Sequence, residues 1–358
     1  MRIGAYKSGG YGDMADYLVL LASVRQKHPD AHISAYCRMS SPEVFDPYIR
    51  LLNAPKGICD EAFCYPDESH PFGDSGFLRH QARQFDYFYD FRPYVGRCYR
   101  GDEAAISLDY PDAFRSVGSH WHPLWGKYYN HPLSQYQNVL QDDCPGMSHL
   151  QITAQSCDLP MPDWDAVDID LPSVDPPGGD WVSVNLGSAG GMVQTKSWGV
   201  GSWQTVVDAL DCEAIQLGTN REPRLKRVRH VFDSPLMTFL GWLRASPLHV
   251  AIENGSVRLR RLVTNQPSVV LFGPTAPSMF GIKGNVVVHA DVCRPCFWLT
   301  KEWMTECPRA IKNDVTENIK ALWGDRLPQS GHYDRICMRS ITPETVIDEV
   351  DRCLENLT

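Results

Sequence analysis

Three groups of residues in this chain have types and spacings that could do chemistry. The first is the segment 252–281, IENGSVRLRRLVTNQPSVVLFGPTAPSMFG. A strand is expected to end at Ile252, and the polar turn Glu253-Asn254-Gly255-Ser256 then opens a helix. Small residues ahead of a helix leave backbone N–H groups free at the positive end of its dipole, which suits a diphosphate. Glu253 can accept hydrogen bonds from sugar hydroxyls, or it can simply cap the helix. The second group is KSGGYGD at 7–13, a glycine-rich turn carrying Gly10 and Tyr11 and ending in the carboxylate Asp13. Its glycines fit G-x-G-x-x-G only loosely, and it lacks the closing Gly-Lys-Ser/Thr of a Walker A loop, so a dinucleotide enzyme is disfavoured. The third is Cys293-Arg294-Pro295-Cys296, followed by Cys307 and Cys337. A CxxC knuckle with two further cysteines is an economical way to build a closed tetrahedral thiolate site for structural iron or zinc. Four unrelated buried thiols would give the same sequence.

The elements around these groups read as two α/β units. Arg2–Tyr6 is expected as a strand, Met14–Lys27 as a helix on the spacing of Tyr17, Leu18, Leu20, Leu21 and Val24, and His32–Cys37 as a second strand. Strand, glycine turn, helix and strand in so few residues is the signature of a parallel sheet. From Phe63 to Leu150 the pattern is irregular and aromatic, until a helix is expected at His131–Leu140. Pro172–Gly179, PSVDPPGG, stops both helix and strand and is taken as the linker. After it the rhythm restarts: strands at 181–186, 214–217, 248–252 and 268–272, with helices at 203–209, 236–245 and 257–263. A final helix is expected over Pro343–Leu357, with Thr342 as its cap. The chain is therefore divided into 1–172, 180–340 and a terminal helix within 341–358.

The order of these pieces resembles glycosyltransferase family 9, the heptosyltransferases. That family shows an acidic-small-Gly turn, a helix and a strand ending in F-G-P-T, here Phe272-Gly273-Pro274-Thr275. It also shows K-x-W with a second Trp, here Lys196-Ser197-Trp198 and Trp203, behind the small-residue loop Gly187-Ser188-Ala189-Gly190-Gly191. Leu217-Gly218 with Glu222, and Cys337-Met338, Ile341, Pro343-Glu344 and Val346, match further family elements. The resemblance implies an α/β GT-B fold, two Rossmann-like domains facing across a cleft. The N-terminal domain would bind the acceptor and the C-terminal domain the donor, with the last helix packing back toward the N-terminal half.

The resemblance also implies roles. A nucleotide-diphosphate sugar would be the donor, held by Ser188, Lys196, Glu222, Glu253, Asn254, Gly255, Ser256 and Arg258. Lys196 would neutralise the pyrophosphate, and Glu222 would meet the ribose or base. The family has Asp at Glu253 and His at Arg258; Arg can clamp a phosphate with two parallel bonds where His cannot. Inverting transfer needs a base for the acceptor hydroxyl, and Asp13 matches the acid of the family's L-G-D element, here Tyr11-Gly12-Asp13. Asp13 sits where α/β folds place ligands, or it caps the helix after it. No catalytic divalent metal is implied. Autotransporter heptosyltransferases carry a four-cysteine iron finger at the place of Cys293, Cys296, Cys307 and Cys337.

The acceptor is left open. Arg92, His122 and Lys127, with Gly10 and Tyr11, lie in or near aromatic-basic stretches that could line an acceptor channel or be ordinary core and surface. A lipopolysaccharide core sugar, a protein hydroxyl or a hydroxymethylated pyrimidine in DNA would each fit, and a non-catalytic nucleotide-sugar-binding protein is the reading of a different class. The net charge of −9 speaks against binding nucleic acid through the overall field. With 358 residues, 43% hydrophobic and 22% charged, the chain is expected to form two ordinary soluble domains. No apolar run approaches the roughly 20 residues needed to span a bilayer. The N-terminus, MRIGAYKSGG, has no apolar signal core, so a cytoplasmic protein with its 12 cysteines reduced is expected.

Overall fold

A computed structural model describes residues 1–39, 45–66, 82–91, 96–100, 144–178, 180–187, 194–290, 292, 295, 307 and 336–357. The first sheet is built from β1 (Arg2–Ser8), β2 (His32–Met39), β3 (Glu61–Pro66), β4 (Tyr87–Asp90) and β5 (Arg97–Arg100), in the order β3-β2-β1-β4-β5. All neighbours are parallel except the antiparallel pair β4–β5. Helices α1 (Tyr11–Lys27), α2 (Phe45–Asn53) and α3 (His149–Ser156) accompany it. The aromatic run FDYFYDF is not irregular, as the sequence suggested. It supplies β4, next to β1 in the sheet, and Phe88 and Tyr89 are buried because both faces of the sheet are covered.

The second sheet contains β6 (Trp181–Asn185), β7 (Glu213–Gly218), β8 (Arg229–Phe232), β9 (Leu248–Ile252), β10 (Ser268–Phe272) and β11 (Val286–His289). Its order is β11-β10-β9-β6-β7-β8 and every pair is parallel. This is a doubly wound sheet whose strand order reverses between β6 and β9. Helices α4 (Val200–Ala209), α5 (Leu236–Ala245), α6 (Gly255–Val263) and the short α7 (Pro277–Phe280) connect its strands. Two more helices follow, α8 (Ile336–Arg339) and α9 (Pro343–Glu355).

The halves are not separated by water along their whole length. One apolar cluster runs from Ile3, Leu18 and Leu21 of the first half to Leu240, Leu243, Leu259 and Leu262 of the second. Another joins Tyr6, Phe85 and Phe88 to Val257, Phe272, Met279 and Phe280. The bridging elements are α1 and α6, which pack on each other. A third cluster lies wholly in the second half, where Trp198 and Trp203 meet edge to face with ring centroids 5.0 Å apart.

Thr342 caps α9, its hydroxyl accepting from the Thr345 N–H at 3.3 Å. Among the described residues the apolar stripe of α9, Val346, Val350 and Cys353, packs on α4 and on β9–β11 of the second half. That sheet face would otherwise be bare, and the i, i+4, i+7 spacing matches it. Among the described residues no helix is long and apolar enough to cross a membrane.

Candidate functional site

Ligands in doubly wound folds sit at the carboxyl edge of the sheet where the strand order reverses. In the second half that point lies past Asn185 of β6 and Ile252 of β9, and the turn Glu253–Ser256 occupies it. The turn is tightly organised. Asn254 is the cap of α6: its Oδ1 accepts from the Ser256 N–H at 2.9 Å. Its Nδ2 donates to Asn185 Oδ1 at 2.5 Å and to the Gly187 carbonyl at 2.6 Å. Ser256 Oγ bonds Asn254 Oδ1 at 2.6 Å and His249 Nε2 at 2.9 Å. His249 Nδ1 in turn meets Ser183 Oγ at 2.8 Å. Burial drives the His249 imidazole well below its usual range, so it is neutral where it bridges Ser183 and Ser256.

Lys196 ends a single 3-10 turn, Gln194–Lys196, and reaches the same place. Its ammonium donates to Glu253 Oε2 at 2.5 Å and to the Glu253 carbonyl at 3.1 Å. The other Glu253 oxygen lies 3.6 Å from Arg258 Nη2. Burial pushes the Glu253 carboxyl up, and Lys196 and Arg258 more than reverse this, so it stays ionised. Arg258 donates from Nη1 to Asp16 Oδ1 at 2.7 Å and stands 5.5 Å over the Phe280 ring. Asp16 Oδ2 is 2.8 Å from His149 Nε2, whose Nδ1 meets the Met279 carbonyl at 2.9 Å.

Glu222 lies at the neighbouring edge, between β6 and β7. A methyl on Gly187 would fall 2.7 Å from its Cδ, and one on Gly218 only 2.8 Å from its Oε2, so the carboxylate is flanked by two glycines. Oε1 accepts from the Thr219 N–H at 3.3 Å. Oε2 is buried with no hydrogen-bond partner. Burial pushes the carboxyl up, which the hydrogen bond from the Thr219 N–H only partly counters. A buried carboxylate oxygen without a donor is costly unless a ligand supplies one.

The first half brings its own turn to the same place. The strand β1 continues to Ser8 and α1 starts at Tyr11, so the turn is only Gly9-Gly10. Gly9 has φ of 138°, which favours glycine. Asp13 is therefore the third residue of α1, not its cap. Its Oδ2 accepts from the Gly10 N–H at 2.8 Å, the reciprocal arm of a capping box. Tyr11 stacks flat on Tyr48, centroids 4.7 Å apart, and burial raises its hydroxyl. A Cβ on Gly12 would stand 3.0 Å from Gly255 Cα and 3.2 Å from Arg258 Cδ. The Asp13 turn and the Glu253–Ser256 turn thus touch backbone to backbone.

Of the residues singled out in the sequence, Lys196, Glu253, Asn254, Gly255, Ser256 and Arg258 come together, with Gly10, Tyr11 and Asp13 facing them and Glu222 alongside. Ser188, Arg92, His122, Lys127, Cys293 and Cys296, and the helix expected at 131–140, lie outside the described residues. Cys307 and Cys337 are both buried, and Cys337 Sγ lies against Gly273. Among the described residues no three metal-ligating side chains cluster. Asp16, His149, Asn185 and His249 were not anticipated. The one available signal was Asp16, a carboxylate inside an otherwise apolar helical face.

No protein-family model matches this chain, and no curated protein matches it in sequence. Solved structures do match. A glycosyl transferase family 9 protein from Veillonella parvula DSM 2008 superposes with a TM-score of 0.57 at 15% identity, covering 99% of this chain and 97% of that one. The iron-containing dodecameric glycosyltransferase TibC of enterotoxigenic E. coli H10407 gives 0.58 at 14% identity, over 100% of this chain and 76% of its own. E. coli ADP-heptose lps heptosyltransferase II gives 0.53 at 14% identity, over 99% of both. At these identities the likeness is one of fold. The fold is GT-B, the two-sheet α/β architecture of these glycosyltransferases.

Proposed function

We propose that this chain is an inverting glycosyltransferase that moves a sugar from a nucleotide-diphosphate donor to a hydroxyl acceptor. The observation that carries the reading is the backbone contact between Gly12 and Gly255. It brings the turn that carries Asp13 against the N-terminus of α6, which Lys196 flanks. Inverting displacement needs that juxtaposition: a base on one side of the anomeric carbon and positive charge on the other.

In this reading Asp13 removes the acceptor hydroxyl proton as the oxygen attacks the anomeric carbon, and the nucleoside diphosphate leaves. Lys196 and the α6 N-terminus stabilise the departing diphosphate. Glu222 Oε2 accepts from ribose hydroxyls or the base, and Ser188 is a further contact to the donor. Asp13→Asn is the test. It abolishes sugar transfer, read as nucleoside diphosphate release in the presence of acceptor, and leaves nucleoside diphosphate binding within about threefold. A variant that transfers at the wild-type rate would remove Asp13 from the chemistry. Acceptor sugars, a hydroxyl-bearing protein and hydroxymethylated DNA are separate arms of that assay, and only the DNA arm should weaken steeply with salt.

The reading includes a structural iron or zinc held by Cys293, Cys296, Cys307 and Cys337. Purified protein should carry about one equivalent of metal and Cys296→Ser almost none; less than about a tenth of an equivalent in the wild type would end this part of the reading.

A further inference from the structure

Asp16, His149 and Arg258 do none of the bond making proposed above, yet each is buried, between 4% and 6% exposed. They belong to different halves. Asp16 lies on α1 and His149 on α3, beside the first sheet; Arg258 lies on α6 and the Met279 carbonyl on α7, in the second. Within the cluster, hydrogen bonds cross between the halves from Arg258 Nη1 to Asp16 Oδ1 at 2.7 Å and from His149 Nδ1 to the Met279 carbonyl at 2.9 Å, and Arg258 Nη1 also lies 3.4 Å from His149 Nε2. Phe280 closes the cluster from the second half, stacked on the His149 ring at 4.9 Å and beneath the Arg258 guanidinium at 5.5 Å. Parting the halves here would strand charges on surfaces that are dry in this structure. Gly12 and Gly255, one turn nearer the site, leave no room for a side chain between α1 and α6.

The consequence lies in where the cluster sits. Asp16 is one helical turn after Asp13 on the same face of α1. Arg258 reaches back to Glu253, which holds Lys196. The Asp16–Arg258 bond therefore fixes, through one turn of each helix, the spacing between the Asp13 carboxylate and the Lys196–Glu253 pair. We propose that Asp16, Arg258 and His149 form a buried strap between the halves, a pivot that sets the base-to-donor distance, so that any opening for substrates takes place away from it. Arg258 is then a positioning residue and not a phosphate clamp. The effect on transfer rests on the glycosyltransfer reading; the strap itself does not.

A double-mutant cycle tests the strap without any ligand. Asp16→Asn, Arg258→Lys and the double variant are unfolded in urea. The double variant should lose less than the product of the single effects on the unfolding constant, by at least about tenfold. Independent effects would overturn the strap. Hydrogen exchange on the wild type needs no variant: amides of 14–20 and 257–262 should open together, with protection factors within about threefold of each other. If 257–262 opens alone, tenfold or more faster, the strap is wrong.

The positional claim is then read with ADP, GDP, UDP and dTDP as probes, and with turnover of the sugar donor whose nucleotide binds. Arg258→Lys and Asp16→Asn should lower kcat at least about thirtyfold, with donor KM and nucleoside diphosphate affinity within about threefold. A phosphate clamp predicts the reverse: Arg258→Lys weakens nucleoside diphosphate binding more than tenfold and Asp16→Asn leaves it alone. If no nucleoside diphosphate binds the wild type, the glycosyltransfer reading fails while the cycle still decides the strap.

Discussion

The two turns that meet at the site are held in very different ways. The Glu253–Ser256 turn is knotted from below: Asn254, Ser256, Asn185, His249 and Ser183 form one buried hydrogen-bonded chain, and Lys196 is fastened to Glu253. The opposing turn has one side-chain bond of its own, from the Gly10 N–H to Asp13, and Asp13 is only half-buried. In the proposed reading this is the contrast between a preformed donor site and a less constrained acceptor side: a diphosphate needs fixed dipoles, whereas a base must move a proton to and from solvent.

Breaking the knotted side should have the largest effect. Lys196→Met leaves the Glu253 carboxylate buried without its main partner, and should cost about 3–5 kcal/mol of stability by urea unfolding. A loss below about 1 kcal/mol would mean that the Lys196–Glu253 pair is wet and the donor turn is not preformed.

Acid should separate the two sides next. Burial pushes the Asp16 carboxyl up, but Arg258, then His149 and Lys7, more than offset it and hold it at about 2, against an ordinary 3.8. A carboxyl depressed in the folded state adds stability above its unfolded value and loses it as pH falls toward the folded one. Stability should thus fall by about 2 kcal/mol between pH 4 and pH 2 through this group. His249 acts earlier. Its folded-state value lies well below the ordinary 6.5, so stability begins to decline as pH drops under 6.5. Asp16→Asn should remove the lower step and leave the upper one, in unfolding curves taken across that range.

The smallest expected effect belongs to the looser turn. Asp13→Asn keeps an oxygen that can accept from the Gly10 N–H, so its stability cost should stay under about 1 kcal/mol even as transfer is lost. A loss as large as that of Lys196→Met would show that the two turns are equally constrained, and the contrast between them would fall.

The second half was the more legible in sequence, and for a physical reason. Leu248–Ile252, Ser268–Phe272 and Leu236–Ala245 are continuous apolar or strongly periodic runs bounded by turn residues, and the structure keeps those bounds. The edge strands Arg229–Phe232 and Val286–His289 were invisible because an edge is short and half exposed, so its pattern carries little apolar signal. The first turn was drawn too long because Lys7 reads as a loop residue; in the fold it is buried, its ammonium donating to the Phe91 carbonyl at 3.1 Å. Pairing with β2 carries β1 on to Ser8. The Glu253–Ser256 turn could be read because its residues are neighbours in the chain. The Asp16–Arg258 bond could not, since 242 residues separate its partners and neither pattern nor spacing links them.

The central claim is that the edge formed by Lys196, Glu222 and the Glu253–Ser256 turn binds a nucleotide-diphosphate sugar. Thermal unfolding with UDP-, GDP-, ADP- and dTDP-sugars tests it most directly. One of these nucleotide classes should stabilise the wild type by about 2.7 kcal/mol at a hundred times its Kd, and Glu222→Ala should lose most of that gain while folding normally. If none of the four classes moves the transition, or if Glu222→Ala responds as the wild type does, the donor site is not where this account places it.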